Sequence, residues 1–343
     1  MIFQGADHVE IAADPNTTLF QQKASIRWCS FANHTVGFQS EIEWIHCAKE
    51  DLLELQDYRQ IINLDQPWIQ AQKQELLSPT EQDKLTRELL ARFTGQTSAA
   101  NQQVDAKQAR RALYALLIQA PPFHFKQTEL KAIDQLLASE QHACTLDAIN
   151  TRAKPNAGTQ LMLWRGDITT LACDAIVNAA NSALLGCFRP DHPCIDNAIH
   201  AKAGPRLRDD CAQIMQLQGN PEATGAAKIT RGYHLPARFV LHTVGPIHRG
   251  DDQLSEGSEW LAQSYRSCLE LASQLPTIRS LAFCCISTGV FGFPASAASQ
   301  IAVDNVNEWI NQRPDRFDTI VFNVFSDRDQ WLYTERLSRH HHE

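Results

Sequence analysis

The amino-acid sequence predicts an α/β sandwich on a largely parallel or mixed sheet, preceded by an α-helical extension. Three observations carry that expectation. Short apolar runs recur at 160–164, 174–177, 238–242, 280–286 and 319–325, each ending at a polar loop. Helical stretches at 195–203, 207–216, 256–273, 295–311 and 327–337 lie between or after them. Upstream, residues 46–150 carry apolar groups at i, i+3 and i+4 without comparable strand runs. Strands alternating with helices build α/β layers, and near-continuous apolar strands suit a sheet covered on both faces.

The extension divides into separate helical segments. Ile42–Lys49, Asp51–Tyr58, Glu81–Phe93 and Gln108–Ile118 are amphipathic, and Thr128–Leu137 begins another after Pro121-Pro122. Ser78-Pro79-Thr80-Glu81 reads as a helix start, with Thr80 as the candidate cap. Residues 95–104 are polar and read as a loop, and 151–159 as a linker. The organisation expected is an N-terminal appendage over 1–45 with a short hairpin, a helical extension over 46–155, and the α/β domain over 156–343.

Composition narrows the function classes. The 343 residues carry a formal charge of −8, with 43% hydrophobic and 20% charged residues. That balance fits a folded globular chain and argues against broad attraction to nucleic acid or anionic membranes. No run of about 18 apolar residues exists, so no membrane span is expected. The N-terminus lacks a basic segment followed by an apolar core, so secretion is not expected and a cytoplasmic location is. Ten cysteines are then thiols, most of them small hydrophobes.

The informative residues sit in loops after strands. Asp167, in Gly166-Asp167-Ile168-Thr169, can accept from an exocyclic amine or cap the following segment. In Asn178-Ala-Ala-Asn181, one amide can pin a turn and the other reach a ligand hydroxyl; a pair of Asx turns is the alternative. Cys187, His192 and Cys194 offer three Zn²⁺ ligands from one loop stiffened by Pro190 and Pro193. No fourth protein ligand is apparent nearby, which favours an open catalytic site over a structural one. Asp196 opens the next helix as a cap or a water-orienting base, and His200 on the following turn reads as packing. Ser287-Thr288-Gly289-Val290-Phe291-Gly292-Phe293-Pro294 lies between strand and helix, where successive N–H groups can cradle a diphosphate. It lacks the Gly-Lys-Ser/Thr ending of a P-loop.

Together with His242-Thr-Val-Gly-Pro246, these loops occur in an order that resembles the macrodomain, an ADP-ribose-binding module, over residues 160 to about 337. Cys187, His192 and Cys194 stand where most macrodomains carry a glycine run. That departure resembles the zinc-dependent class, protein-ADP-ribose hydrolases with a helical extension. The resemblance implies a three-layer α/β/α sandwich with a mixed central sheet. It implies adenine contacts from Asp167 and Ile168, and distal-ribose binding by Asn181. Ser287, Thr288, Gly289, Val290 and Phe291 would line the diphosphate and ribose, and Zn²⁺ would sit on Cys187, His192 and Cys194.

The expected activity is removal of mono-ADP-ribose from modified protein side chains, with Asn181 and Asp196 as catalytic residues. A lipoyl-carrier-like protein is the target the resemblance suggests. A non-catalytic ADP-ribose reader is the alternative, and a purely structural zinc is another.

Overall fold

The computed structural model describes residues 51–68, 76–95, 104–143, 147–148, 158–250 and 254–340. The expected appendage over 1–45, the helix opening at Ile42 and the 341–343 tail lie outside them. So do Cys29, Cys47, Cys144 and most of the 95–104 loop and 151–159 linker.

After the short helix α1 (Leu55–Tyr58), the extension contains α2 (Pro79–Thr94), α3 (Ala106–Gln119) and α4 (Gln127–Ala143). The cap of α2 is Ser78 and not Thr80. Ser78 accepts from the Glu81 N–H while Glu81 reaches back to the Ser78 N–H, with Pro79 in the first turn. Proline at the first helical position makes its predecessor the cap, and the reciprocal pair is worth about 1 kcal/mol. Leu89, Leu90, Leu113, Leu117, Ile133, Leu136 and Leu137 close a separate core between these three helices.

The sheet carries the rest. A two-residue strand β1 (Asp147–Ala148) pairs in parallel with β3 (Leu171–Ala172). The main sheet has β2 (Gln160–Arg165), β4 (Ala175–Ala180), β5 (Ala227–Arg231), β6 (Phe239–Val244), β7 (Ser280–Phe283) and β8 (Thr319–Val324). Its order is β2-β8-β7-β4-β6-β5. All neighbours are parallel except β5 with β6, so the sheet is mixed as expected. Helices α5 (Ile195–Ala203), α6 (Pro205–Gln218), α7 (Leu254–Ser273), α8 (Ala295–Gln312) and α9 (Asp327–His340) complete the sandwich. Every residue of β6 and β8 is buried, which is why both read as predominantly apolar runs.

Two elements differ from the sequence reading. Strand β4 runs through Asn178-Ala-Ala180, so Asn178 is a strand residue and not part of a turn. Strand β5 has no apolar run, and its burial rests on partners the sequence does not display. The Ile229 N–H donates to the Tyr58 hydroxyl from the extension at 3.0 Å. Lys228, 2% exposed, pairs with Glu222 at 2.8 Å. The extension thus covers an edge that would otherwise offer free backbone groups.

A second tie is Asp134 of α4. Its buried carboxylate receives Arg206 at 2.9 Å and faces His234 Nε2 at 3.0 Å. Leu137 packs where Gly204 has no side chain: a Cβ there would lie 2.7 Å from Leu137 Cδ1. Extension and sheet accordingly belong to one compact unit.

Candidate functional site

Because β2, β8, β7, β4 and β6 run parallel, their carboxyl ends share one edge of the sheet. There the informative loops are gathered, in the place where open α/β sheets bind ligands. Strand order sets their sequence across the edge: Asp167 after β2, Phe325 after β8, the Ser287 turn after β7, the Cys/His loop after β4. Three strand spacings separate the first from the last, about 14 Å. A ligand bridging them must be long.

At the β2 end, Asp167 Oδ1 accepts from the Thr169 N–H at 3.0 Å and its hydroxyl at 2.7 Å. The cap reading is therefore realised, while Oδ2 has no partner among the described residues. Ile168 is buried beneath. Phe325, which the sequence reading left without a role, leaves β8 beside Gly166, whose N–H donates to the Val324 carbonyl at 3.1 Å. At 78% exposed it offers a bare aromatic face. Its only sequence signal is an aromatic at the last step of a buried strand.

At the β7 end, Ser287 holds φ +64°, a left-handed conformation that costs a non-glycine residue about 1 kcal/mol. The Phe293 N–H donates to its carbonyl at 2.9 Å, and Gly292 N–H to Gly289 O at 3.1 Å. These bonds close a turn in which the N–H groups of Gly289, Val290 and Phe291 have no acceptor among the described residues. Gly289 and Val290 are exposed and Phe291 half-buried, just ahead of the α8 N-terminus. Close approach by the β6 loop makes Gly245 obligatory: a Cβ there would sit 2.1 Å from Ser287 Oγ.

At the β4 end, the loop carrying the candidate ligands is braced at both ends. Asn181 Nδ2 donates to Gly186 O at 2.9 Å, and its Oδ1 accepts from Ala183 N–H at 3.0 Å, an Asx turn. Buried Asn197 on α5 donates to the carbonyls of Arg189 at 2.6 Å and His192 at 2.9 Å. So folded, the loop brings donor atoms of Cys187, His192 and Cys194 within 4.8 Å of one another, with Cys187 Sγ 3.3 Å from His192 Nδ1. Burial pushes the Cys194 thiol up to about 11, outweighing the Asn197 N–H that favours its thiolate. Two half-buried sulfurs and an imidazole held this close fit a Zn²⁺ ion, which would supply the charge the thiols lack.

Beneath the loop runs a buried polar chain. Asn178, 0% exposed, donates through Nδ2 to Asp196 Oδ1 at 2.7 Å and approaches His242 Nδ1 at 3.2 Å. For Nδ1 to accept, His242 carries its proton on Nε2, 2.9 Å from Thr230 Oγ1. Burial lifts Asp196 to about 6, against the Asn178 bond and Arg208, so it is mostly ionised at neutral pH. Burial drives His242 down to about 3 and His200 well below its usual value, so both are neutral. His200, read as packing, is indeed buried; its Nε2 lies 3.5 Å from Asp196 Oδ1. Asn181 thus pins the turn, one of the two roles weighed for the pair, while Asn178 is sealed under Asp196 and reaches neither a turn nor a ligand hydroxyl. His242 stood in a motif of the sequence reading without a role in this chain, and Thr230 escaped that reading, although a histidine in a largely apolar strand signals such a chain.

The sheet order, the ligand edge and these loops define a macrodomain. Residues 177–302 match the Macro domain family. A protein-ADP-ribose hydrolase of Treponema medium is 47% identical over 237 residues, 68% of this chain and 89% of that protein. One from Staphylococcus aureus strain MRSA252 is 45% identical over 230 residues, 66% of this chain and 84% of that protein. Among solved structures, the Trypanosoma brucei macrodomain in complex with ADP-ribose aligns with a TM-score of 0.50 at 31% identity, covering 65% of this chain and 94% of that one. The chain belongs to the macrodomain family, and the two relatives above are named protein-ADP-ribose hydrolases.

Proposed function

We propose that this protein hydrolyses mono-ADP-ribose from modified protein side chains and that it does so with Zn²⁺ held by Cys187, His192 and Cys194. One observation carries the reading: a cluster of soft ligands sits directly above a buried carboxylate, at one end of a row of loops suited to a sugar diphosphate. The relatives named as hydrolases support the same reading over a passive ADP-ribose reader, which would need the cradle but not the buried Asp196 chain.

In this reading the ligand lies along the sheet edge. Its adenine rests against Phe325, above the buried Ile168, with its exocyclic amine donating to Asp167 Oδ2. The diphosphate accepts from the N–H groups of Gly289, Val290 and Phe291, and the α8 N-terminus favours its charge. Ser287 and Thr288 shape that turn. The distal ribose reaches the Cys/His loop, where Asn181 keeps a lone pair of Oδ1 for a sugar hydroxyl. Asp196 Oδ2 carries no protein hydrogen bond among the described residues and orients the attacking water, while Asn178 fixes the carboxylate plane. Bound Zn²⁺ would supply Lewis acidity beside the distal ribose. The protein product leaves with its side chain restored and ADP-ribose is released.

The acceptor protein would approach across the surface of the Cys/His loop. A lipoyl-carrier-like target and a cytoplasmic setting extend the same proposal; seven free thiols among the described residues suit a reducing compartment.

The test is ADP-ribose release from a mono-ADP-ribosylated protein by the wild type, Cys194→Ala and Asp196→Ala, with zinc content measured on each. Release is expected only from the wild type, with close to one zinc per chain. Equal release by all three would remove Cys194 and Asp196 from the reaction. ADP-ribose binding by zinc-replete wild type without release would establish the reader instead.

A further inference from the structure

Arg208 of α6 is 4% exposed, with no carboxylate in hydrogen-bond contact among the described residues. A buried guanidinium costs several kcal/mol unless its donors are satisfied. Here backbone carbonyls from two places satisfy them. Nε donates to Leu185 O at 2.8 Å, in the Cys/His loop. Nη1 donates to Leu117 O at 3.1 Å and Ala120 O at 2.5 Å, at the end of α3 in the extension. These are terminal carbonyls of a helix, a natural seat for a cation.

The same guanidinium lies 4.5 Å above the Phe188 ring. Phe188 follows Cys187 and holds φ +55°, a conformation that needs support from its surroundings. Between the two contacts, Gly186 packs so tightly that a Cβ would lie 3.3 Å from Arg208 Nη2. Arg208 therefore grips the residues on both sides of Cys187. Its neighbour Asp209 accepts from the Phe123 N–H at 2.7 Å, tying down the chain beyond α3 as well. Asn197 holds the other half of the loop, and Asn181 the Gly186 carbonyl, both from within the macrodomain. Arg208 is the hydrogen-bonded tie, among the described residues, that joins Leu185 beside Cys187 to the carbonyls of the extension.

We infer that Arg208 is a positioning residue for the metal loop, and that the helical extension acts on the site by providing the fixed carbonyls against which Arg208 sets Cys187. The inference rests on the reading that this loop binds a metal. It assigns the extension a task in the site itself, beyond covering the β5 edge.

The experiment uses the full chain and reads metal binding without turnover. Zinc affinity is measured by competition with a chromophoric chelator, and the ligand field by the absorption of the Co²⁺-loaded protein. Arg208→Lys keeps the charge but cannot bond Leu185, Leu117 and Ala120 together. It is expected to weaken zinc binding by about 10–100-fold, the range for groups that hold ligands in place, and to alter the Co²⁺ thiolate bands. A merely structural arginine would lower the melting temperature but leave both readouts of the folded protein unchanged, which would overturn the inference.

Should Arg208→Lys fail to fold, Phe188→Ala removes only the stacking contact. It is expected to weaken zinc in the same direction, and unchanged affinity would count against Arg208. Replacing Pro121 and Pro122 with glycine leaves Arg208 intact and loosens its seat. Weaker zinc binding there supports the extension's part, and unchanged affinity would overturn that half. Wild-type protein that takes up neither Zn²⁺ nor Co²⁺ would instead overturn the metal reading on which all of this stands.

Discussion

Asn178→Ala separates the buried chain under the site from the ligand cradle above it. The side chain is 0% exposed, so no ligand can touch it. Its Nδ2 makes the 2.7 Å bond to Asp196 and the 3.2 Å contact with His242. A hydrogen bond to an ionised group contributes about 1.5–3 kcal/mol and a neutral one about 0.5–1.5. Alanine also removes Asn178 Oδ1, a buried atom with no partner among the described residues, which returns part of the loss. The expected net cost is about 3 kcal/mol, or a melting temperature lower by about 6–12 °C. ADP-ribose affinity of the folded variant, measured by calorimetry at pH 7.5, should be unchanged, while release from a modified protein falls. A double-mutant cycle with Asp196→Ala should show a coupling of about 1.5–3 kcal/mol. A shift under about 2 °C together with zero coupling would show that the 2.7 Å bond does not hold Asp196, and the positioning account would fail.

Gly245→Ala places a Cβ 2.1 Å from Ser287 Oγ and 2.7 Å from Ile286 Cγ2. Overpacking of this kind costs about 1–3 kcal/mol, and the displaced Ser287 turn should weaken ADP-ribose in calorimetry; unchanged affinity would mean the turn is not the cradle. His242 carries a pH signature. Its folded value near 3 lies below the unfolded 6.5, so only the unfolded state gains a proton as pH falls. Its contribution is full above pH 6.5 and is lost on acidification, about 2 kcal/mol by pH 5. Urea midpoints of the wild type and His242→Gln should therefore converge between pH 7.5 and pH 5, and a constant gap would contradict a buried neutral imidazole.

The alternation of strands and helices was legible in the residues alone, because a sheet covered on both faces needs predominantly apolar strands, as at Phe239–Val244 and Thr319–Val324. The sequence also displayed Cys187, His192 and Cys194 together in one proline-stiffened segment, whereas the fold brought their donor atoms within 4.8 Å of one another. The cap at Ser78, the edge strand Ala227–Arg231 and the extent of β4 were not legible. Each depends on a partner elsewhere: Glu81 across a turn, Tyr58 from the extension, Phe239–Val244 alongside β4. The different fates of Asn178 and Asn181 came from the fold, because a strand's alternation turns one inward and the next turn leaves the other half-exposed. The fold alone brought Arg208, Leu117 and Leu185 to one point, from segments with no common pattern. Periodicity records which residues lose water, whereas the direction of a buried hydrogen bond is settled only when distant backbone arrives to accept it.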